Sequence, residues 1–302
     1  MFDVVIIGSG PAGLTAAIYA VRAGLNAVVI EKDYEGTGQI SEGGHVDNYP
    51  GLKGISGYDL GMALRNHALE LGAVIENANV VAIKKTDDCF NVFTKKRKEE
   101  NILEAKNIIY AAGAAHRKLG ALNEEELQGA GVSYCATCDG AFFKNRDVAV
   151  VGGGDTALDD ALYLSDIASS VTLIHRRDTF RGAANTLEKL KAKANVKFKT
   201  SVNITEIKGD DMVSGVLLDN GEELSLSGVF VAVGTVPMTG ILDGLVELDQ
   251  SGYIVAGEDC RTSLKGFYAA GDVRTKGLRQ VVTATADGAN SIYSLQEDAN
   301  RN

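Results

Sequence analysis

Four cysteines occur in the 302 residues, at positions 89, 135, 138 and 260. Two of them lie three positions apart, in Cys135-Ala136-Thr137-Cys138-Asp139-Gly140. At that spacing two thiols can bond to each other or share one metal ion. A structural zinc site needs two further Cys or His ligands, usually themselves a close pair. Cys89 and Cys260 are single and distant, and His45, His67, His116 and His175 form no such pair, so no metal is expected. Asp139 and Gly140 indicate a turn or a helix start, which argues against an inert pair in a core strand. Thiol–disulfide exchange fits instead: one thiolate attacks a partner's disulfide and the second resolves the mixed disulfide. Asp139 is placed to manage a proton as the cysteines change state. Cys89 and Cys260 read as bystanders.

Two glycine clusters flank this pair. Gly8-Ser9-Gly10-Pro11-Ala12-Gly13 comes before it, with Glu31 beyond. Gly152-Gly153-Gly154-Asp155-Thr156-Ala157 comes after it, with His175-Arg176-Arg177 and Arg181 beyond. In such a cluster one glycine makes a tight turn, a second lets backbone approach a pyrophosphate, and a third packs helix on strand. The two clusters differ at their far ends. Glu31 suits a free ribose hydroxyl and repels a 2′-phosphate. Arg176, Arg177 and Arg181 offer forked, charge-assisted contacts to phosphate. The first cluster therefore fits FAD or NAD, and the second fits NADP. Near the C-terminus, Gly271-Asp272 ends a third apolar run and precedes Arg279-Gln280-Val281. An aspartate at that place can bind a flavin's ribitol while the following helix start faces the isoalloxazine.

The elements that must hold these residues are legible as well. Asp3-Val4-Val5-Ile6-Ile7 is a strand, β-branched at four of five positions, and Leu14–Gly24 is a helix rich in Ala. Ala27-Val28-Val29-Ile30 is the next strand, and its end delivers Glu31. Around Gly152 the order repeats, with strands Val148–Val151 and Val171–Ile174 and a helix reaching about Ala168. Phosphates would sit at each helix N-terminus, where free N–H groups and the macrodipole favour anions.

At 302 residues the chain has room for about two domains of roughly 150 residues. Hydrophobic content is 45% and charged content 23%, as expected of a globular protein with sizeable cores. A formal charge of −10 argues against nucleic acid or an anionic membrane surface as partner. No stretch approaches the roughly 20 apolar residues of a membrane span. Residue 2 already begins a strand, leaving no room for a targeting leader, so the cytoplasm is the expected compartment.

Taken together these motifs resemble the low-molecular-weight thioredoxin reductases of bacteria, over essentially the whole chain. The resemblance rests on both glycine clusters, Gly38-Gln39-Ile40, Asp47-Asn48-Tyr49-Pro50-Gly51, Ala111-Ala112-Gly113, Cys135-Ala136-Thr137-Cys138, the His175–Arg181 segment, Gly271-Asp272-Val273 and Arg279-Gln280-Val281. It implies an α/β fold with two Rossmann-like nucleotide-binding domains. Residues 1–116 and 244–302 would form an FAD domain, and residues 117–243 an inserted NADPH domain with the cysteine pair. FAD would be held by Gly8, Gly10, Pro11, Ala12, Gly13, Glu31, Gly38, Gln39, Asn48, Ala112, Gly113, Gly271, Asp272, Arg279, Gln280 and Val281. NADPH would be held by Gly152, Gly154, Asp155, Thr156, His175, Arg176, Arg177 and Arg181. The resemblance further implies a homodimer acting on thioredoxin, with Cys138 facing the flavin, Cys135 attacking the partner and Asp139 alongside.

Three places depart from the family pattern. Ser41-Glu42-Gly43-Gly44 replaces a threonine-rich stretch, Met238 stands where Asn is common, and His116 where Pro is common. They bear on flavin potential and on fine contacts to substrate. Other readings are a relative serving another redoxin, a peroxidase partner or a small disulfide, and one fed by ferredoxin. A redox-sensing flavin protein with little turnover is a reading from another class. The intact arginines count against ferredoxin, and the intact nucleotide devices against a sensor.

Overall fold

The computed structural model describes residues 1–42 and 46–301. Gly43, Gly44 and His45 lie outside the described residues, and with them half of the Ser41–Gly44 departure. The chain divides into two compact units, Met1–Ala115 with Val236–Asn302, and His116–Thr235.

In the first unit, strand Phe2–Ile7 runs along the middle of the sheet. Val4, Val5, Ile6 and Ile7 are all buried. Successive side chains of a strand point to opposite faces. Val4 and Ile6 accordingly join one core with Leu14 and Ala17 of helix Pro11–Arg22 and with Ile292 and Leu295 of helix Val281–Asn300. Val5 and Ile7 join a second core with Tyr110, Leu242 and Phe267. Both faces are covered, so the strand reads as one continuous apolar run. The parallel strands lie in the order Val74–Asn77, Ala27–Glu31, Phe2–Ile7, Glu99–Tyr110 and Phe267–Ala269. Glu99–Tyr110 serves two pairings. Its first part runs antiparallel to Phe90–Lys96, and its last residues lie between Phe2–Ile7 and Phe267–Ala269.

The second unit repeats the plan. Its parallel strands lie in the order Val196–Thr200, Ser170–His175, Asp147–Val151, Gly228–Val231 and Val132–Ser133. Val148 and Val150 face the helix Asp155–Ser165, whose buried Ala157, Leu158, Ala161 and Leu164 keep helical spacing. Ala149 and Val151 face the hairpin residues Ile207, Val213 and Val216. In each unit the first strand of the glycine device has neighbours on both sides. The glycine turn therefore leaves the sheet where the strand order reverses, which is where open α/β sheets bind ligands. Two Rossmann-like units, as expected from the sequence, are what the chain forms.

Both boundaries differ from the sequence reading, the first by the single residue His116 and the second by eight residues. Residues 236–243 belong to the first unit. The Met238 N–H donates to the Gly113 carbonyl at 3.0 Å, and the Tyr110 hydroxyl donates to the Met238 carbonyl at 2.6 Å. Leu242 is fully buried in the core around Phe267. The second crossing therefore falls at Thr235/Val236, ahead of 243.

Candidate active site

In the first unit the glycines differ in what surrounds them. Gly8 has φ +99°, and a Cβ there would lie 2.5 Å from the Ala111 carbonyl oxygen. At Gly13 a Cβ would lie 1.9 Å from the Gly8 oxygen. These two are required by the protein's own packing. Gly10 is not: among the described residues no atom comes nearer than 3.9 Å to its Cβ position. The room beside it, at the start of a helix with Pro11 in the first turn and no side-chain cap, suits a close anionic ligand. Glu31 is buried at the end of its strand, where Oε2 accepts from the Ser9 N–H at 2.9 Å and the Ser9 hydroxyl at 2.7 Å. Gly38, at φ +74°, faces Gly10, its Cβ position 2.9 Å from the Gly10 Cα. Gln39 begins the short turn Gln39–Glu42 and is exposed. Ala112 and Gly113 follow the end of strand Glu99–Tyr110. Asn48 donates to the side-chain oxygen of Gln280 at 2.8 Å.

Asp272 carries the clearest sign of a missing partner. Its Oδ1 is buried and accepts no hydrogen bond from the described residues. Burial raises its pKa, opposed by the nearby Lys276 and Arg279. A buried acceptor left unsatisfied costs about 1–3 kcal/mol, so this carboxylate fits a ligand that brings its own donor, as a ribityl hydroxyl would. Gly271, at φ +80°, lets the turn pass Ala12, whose Cβ would lie 2.9 Å from an added one. Arg279 stacks on Tyr253, its guanidinium carbon 4.2 Å from the ring centre, and Val281 opens the last helix.

Sequence reasoning missed the support beneath this turn. Asp287, buried in the last helix, accepts from Arg274 Nε at 2.9 Å and Nη2 at 2.7 Å, from Lys276 Nζ at 2.8 Å and from the Gly271 N–H at 2.8 Å. Arg274 and Lys276 are buried with it. The available signal was a pair of basic residues, Arg274 and Lys276, just after Asp272, with Asp287 in the Ala-rich start of the helix that follows.

In the second unit the phosphate turn and the arginine segment are fastened together. The Arg181 N–H donates to the Gly153 carbonyl at 2.7 Å, and the Ala183 N–H to Asp155 Oδ1 at 2.7 Å. Arg176, Arg177 and Arg181 remain exposed beside this turn. Gly154 and Thr156 stand at the helix start, and among the described residues no atom lies within 4 Å of a Cβ at Gly154. At Gly152 a Cβ would meet the Ala232 oxygen at 2.3 Å. His175 is set apart from the arginines. It is buried beneath Gly153, whose added Cβ would lie 2.2 Å from the imidazole, and it stacks on Phe180 with ring centres 5.2 Å apart. Burial lowers its pKa, against a backbone contact to Thr179, and the three arginines lower it further. The imidazole is therefore the neutral floor of the turn.

Cys135 and Cys138 form a disulfide, with Cα atoms 5.3 Å apart. Cys135 caps the single helical turn Ala136–Asp139. The Cys138 and Asp139 N–H groups both donate to its carbonyl, at 3.2 and 3.1 Å. The Thr137 hydroxyl lies 3.5 Å from the Cys135 sulfur. Asp139 Oδ2 accepts from the Ser133 hydroxyl at 2.6 Å. The other two cysteines are free thiols. Burial first, then Asp287, pushes the Cys260 thiol up to about 12, too high for a nucleophile at neutral pH. His116 stacks on Tyr134 with ring centres 4.9 Å apart. No helix among the described residues is long and apolar enough to cross a membrane.

Residues 2–288 match the family of pyridine nucleotide-disulphide oxidoreductases. The thioredoxin reductase of Listeria monocytogenes is 45% identical over 303 residues, covering 98% of this chain and 93% of that protein. The thioredoxin reductase of Treponema pallidum is 44% identical over 299 residues, covering 97% and 95%. The crystal structure of thioredoxin reductase from Streptococcus pyogenes matches with a TM-score of 0.93 at 39% identity, covering 100% of this chain and 99% of the other.

Proposed function

The chain belongs to the pyridine nucleotide-disulphide oxidoreductase family, and from that footing we propose that it is a thioredoxin-disulfide reductase driven by NADPH through FAD. The observation that carries this is the Cys135–Cys138 disulfide, set on a helical turn in the same unit as a phosphate turn flanked by three exposed arginines.

Met1–Ala115 with Val236–Asn302 is the FAD domain, and His116–Thr235 is the NADPH domain. When bound, FAD supplies a two-electron relay between the nicotinamide and the disulfide. Gly8, Gly10, Pro11, Ala12 and Gly13 take its pyrophosphate on the helix N-terminus, and Glu31 takes the adenosine ribose. Gly38, Gln39, Asn48, Ala112 and Gly113 line its path. Asp272 accepts a ribityl hydroxyl, Gly271 gives the turn its room, and Arg279, Gln280 and Val281 bring a helix start to the isoalloxazine. The orphaned oxygen of Asp272 and the open space at Gly10 support this fit.

Gly152, Gly154, Asp155 and Thr156 take the NADPH pyrophosphate, Asp155 also tying down the arginine segment. Arg176, Arg177 and Arg181 hold the 2′-phosphate, and His175 supports the turn from below. Cys135 attacks the thioredoxin disulfide, Cys138 resolves the mixed disulfide, and Asp139 carries the Cys138 proton to the departing partner sulfur. Identities of 39–45% to thioredoxin reductases over nearly the full length support thioredoxin as the partner. The same kinship supports reading the chain as a cytoplasmic homodimer.

The test is a coupled assay. NADPH oxidation should depend on added thioredoxin disulfide and bleach the flavin near 450 nm. Oxidation supported by a glutaredoxin or a peroxidase partner, and not by thioredoxin, would replace the partner. Reduction by ferredoxin alone would replace the donor.

A further inference from the structure

Ser133 is a residue that no motif singles out, yet it touches both ends of the redox turn. It is buried at the end of strand Val132–Ser133, the last strand of the second unit's parallel sheet. Its backbone is therefore fixed by register, Ser133 lying opposite Phe230. The hydroxyl oxygen accepts the Cys135 N–H at 3.1 Å. Its proton has two acceptors in reach, Asp139 Oδ2 at 2.6 Å and the Cys135 carbonyl at 3.3 Å. The nearer one is a carboxylate, and an O–H···O⁻ bond of that length is charge-assisted and the stronger of the two. One side chain thus fixes the start of the turn, at the attacking cysteine, and its end, at the acid.

We infer that Ser133 is a positioning residue for Asp139, holding its carboxylate ionised and aimed while the cysteine pair turns over. The inference rests on the proposed dithiol exchange. In that exchange the Cys135 thiolate attacks the partner's disulfide; a Cys135–partner S–S bond forms, the partner's own S–S bond breaks, and one partner thiolate leaves. Cys138 then gives its proton to Asp139 and attacks Cys135 Sγ. The Cys135–Cys138 bond forms, the mixed disulfide breaks, and the second partner sulfur departs as a thiolate that takes the proton from Asp139. Two electrons have passed from the enzyme's dithiol to the partner. Asp139 must be ionised to begin this relay. A donated hydrogen bond favours the ionised form, so Ser133 sets the lower end of the pH range in which the relay runs.

The experiment is a pH profile of single-turnover oxidation of prereduced holoenzyme by thioredoxin disulfide, in wild type, Ser133→Ala and Asp139→Asn. Asp139→Asn should remove the acid limb of the profile. Ser133→Ala should keep that limb and move it up by about one pH unit. Ser133→Thr against Ser133→Val compares hydroxyl with methyl at equal shape: Thr should follow wild type and Val should follow Ala. That pair decides the matter if Ser133→Ala does not fold. An acid limb unmoved in Ser133→Ala, or the same in Thr and Val, overturns the inference and leaves the proposed function standing. An acid limb unchanged in Asp139→Asn overturns the role given to Asp139 itself.

Discussion

Asn48 and Gln280, 232 positions apart, are joined by a single hydrogen bond of 2.8 Å from the Asn48 amide to the Gln280 side-chain oxygen. It ties a loop in the chain's first third to the cap of its last helix, and the proposed flavin site has residues on both. A hydrogen bond of this kind contributes about 1 kcal/mol. Asn48→Ala should weaken FAD binding about fivefold, read by titrating apoprotein with FAD and following quenching of its fluorescence. An unchanged dissociation constant would remove Asn48 from the flavin's surroundings.

Asp272 should trade stability for binding. Its pKa is raised by burial, so in the apoprotein its ionised form opposes folding. The penalty is absent at pH values below the unfolded carboxyl pKa, grows as pH rises through the carboxylate range, and is complete above the folded value. Asp272→Asn should therefore melt higher than wild type as apoprotein at pH 7, with the difference vanishing near pH 3. The same variant should hold FAD more weakly. Equal melting at pH 7, measured by calorimetry on both apoproteins, would contradict this account.

Arg176 and Arg177 should decide between nucleotides. Each charged hydrogen bond to a 2′-phosphate is worth roughly 1.5–3 kcal/mol. Replacing both with Ala should raise KM for NADPH by tens- to thousand-fold and leave NADH nearly untouched. Equal weakening of both cofactors would mean that the arginines serve folding.

Cys138→Ser should still take hydride from NADPH, but its flavin can no longer pass electrons to a disulfide. Given a thioredoxin lacking its own resolving cysteine, it should accumulate a mixed disulfide through Cys135. Cys135→Ser should accumulate none, and both variants should lose nearly all thioredoxin reduction. Mass spectrometry of the adducts reads the outcome, and an adduct through Cys138 would reverse the two roles.

The parts of the fold that the sequence disclosed are those whose physics is local. A glycine turn needs a few neighbouring residues, a strand buried on both faces reads as an unbroken apolar run, and Cys135 and Cys138 are three positions apart. What stayed hidden depends on partners distant in the chain. Asp287 reads as an ordinary polar residue of a helix until Arg274, Lys276 and Gly271 are brought onto it. Ser133 is a common residue whose role exists only once a strand end faces Asp139. His175 stands in line with the arginines by sequence, yet the strand's end turns it under Gly153. Residues 236–243 carry no composition change that would mark their return to the first unit.

The double pairing of strand Glu99–Tyr110 governs the order in which the protein can be made. Its neighbour Phe267–Ala269 emerges from the ribosome only after all of His116–Thr235. At about 5–20 residues per second, the wait between residues 110 and 267 is roughly 8–30 s. Through that interval Ile108–Tyr110 has an open edge, and helix Pro11–Arg22 lacks Val281–Asn300, which later packs so closely that Gly288 has no room for a Cβ beside the Ala12 carbonyl. The inserted unit is complete, with all five of its parallel strands, before the unit that encloses it in sequence can close. A nascent chain of this protein therefore presents a finished inner domain between two unfinished halves, and that unpaired edge is where newly made chains are most exposed to wrong partners.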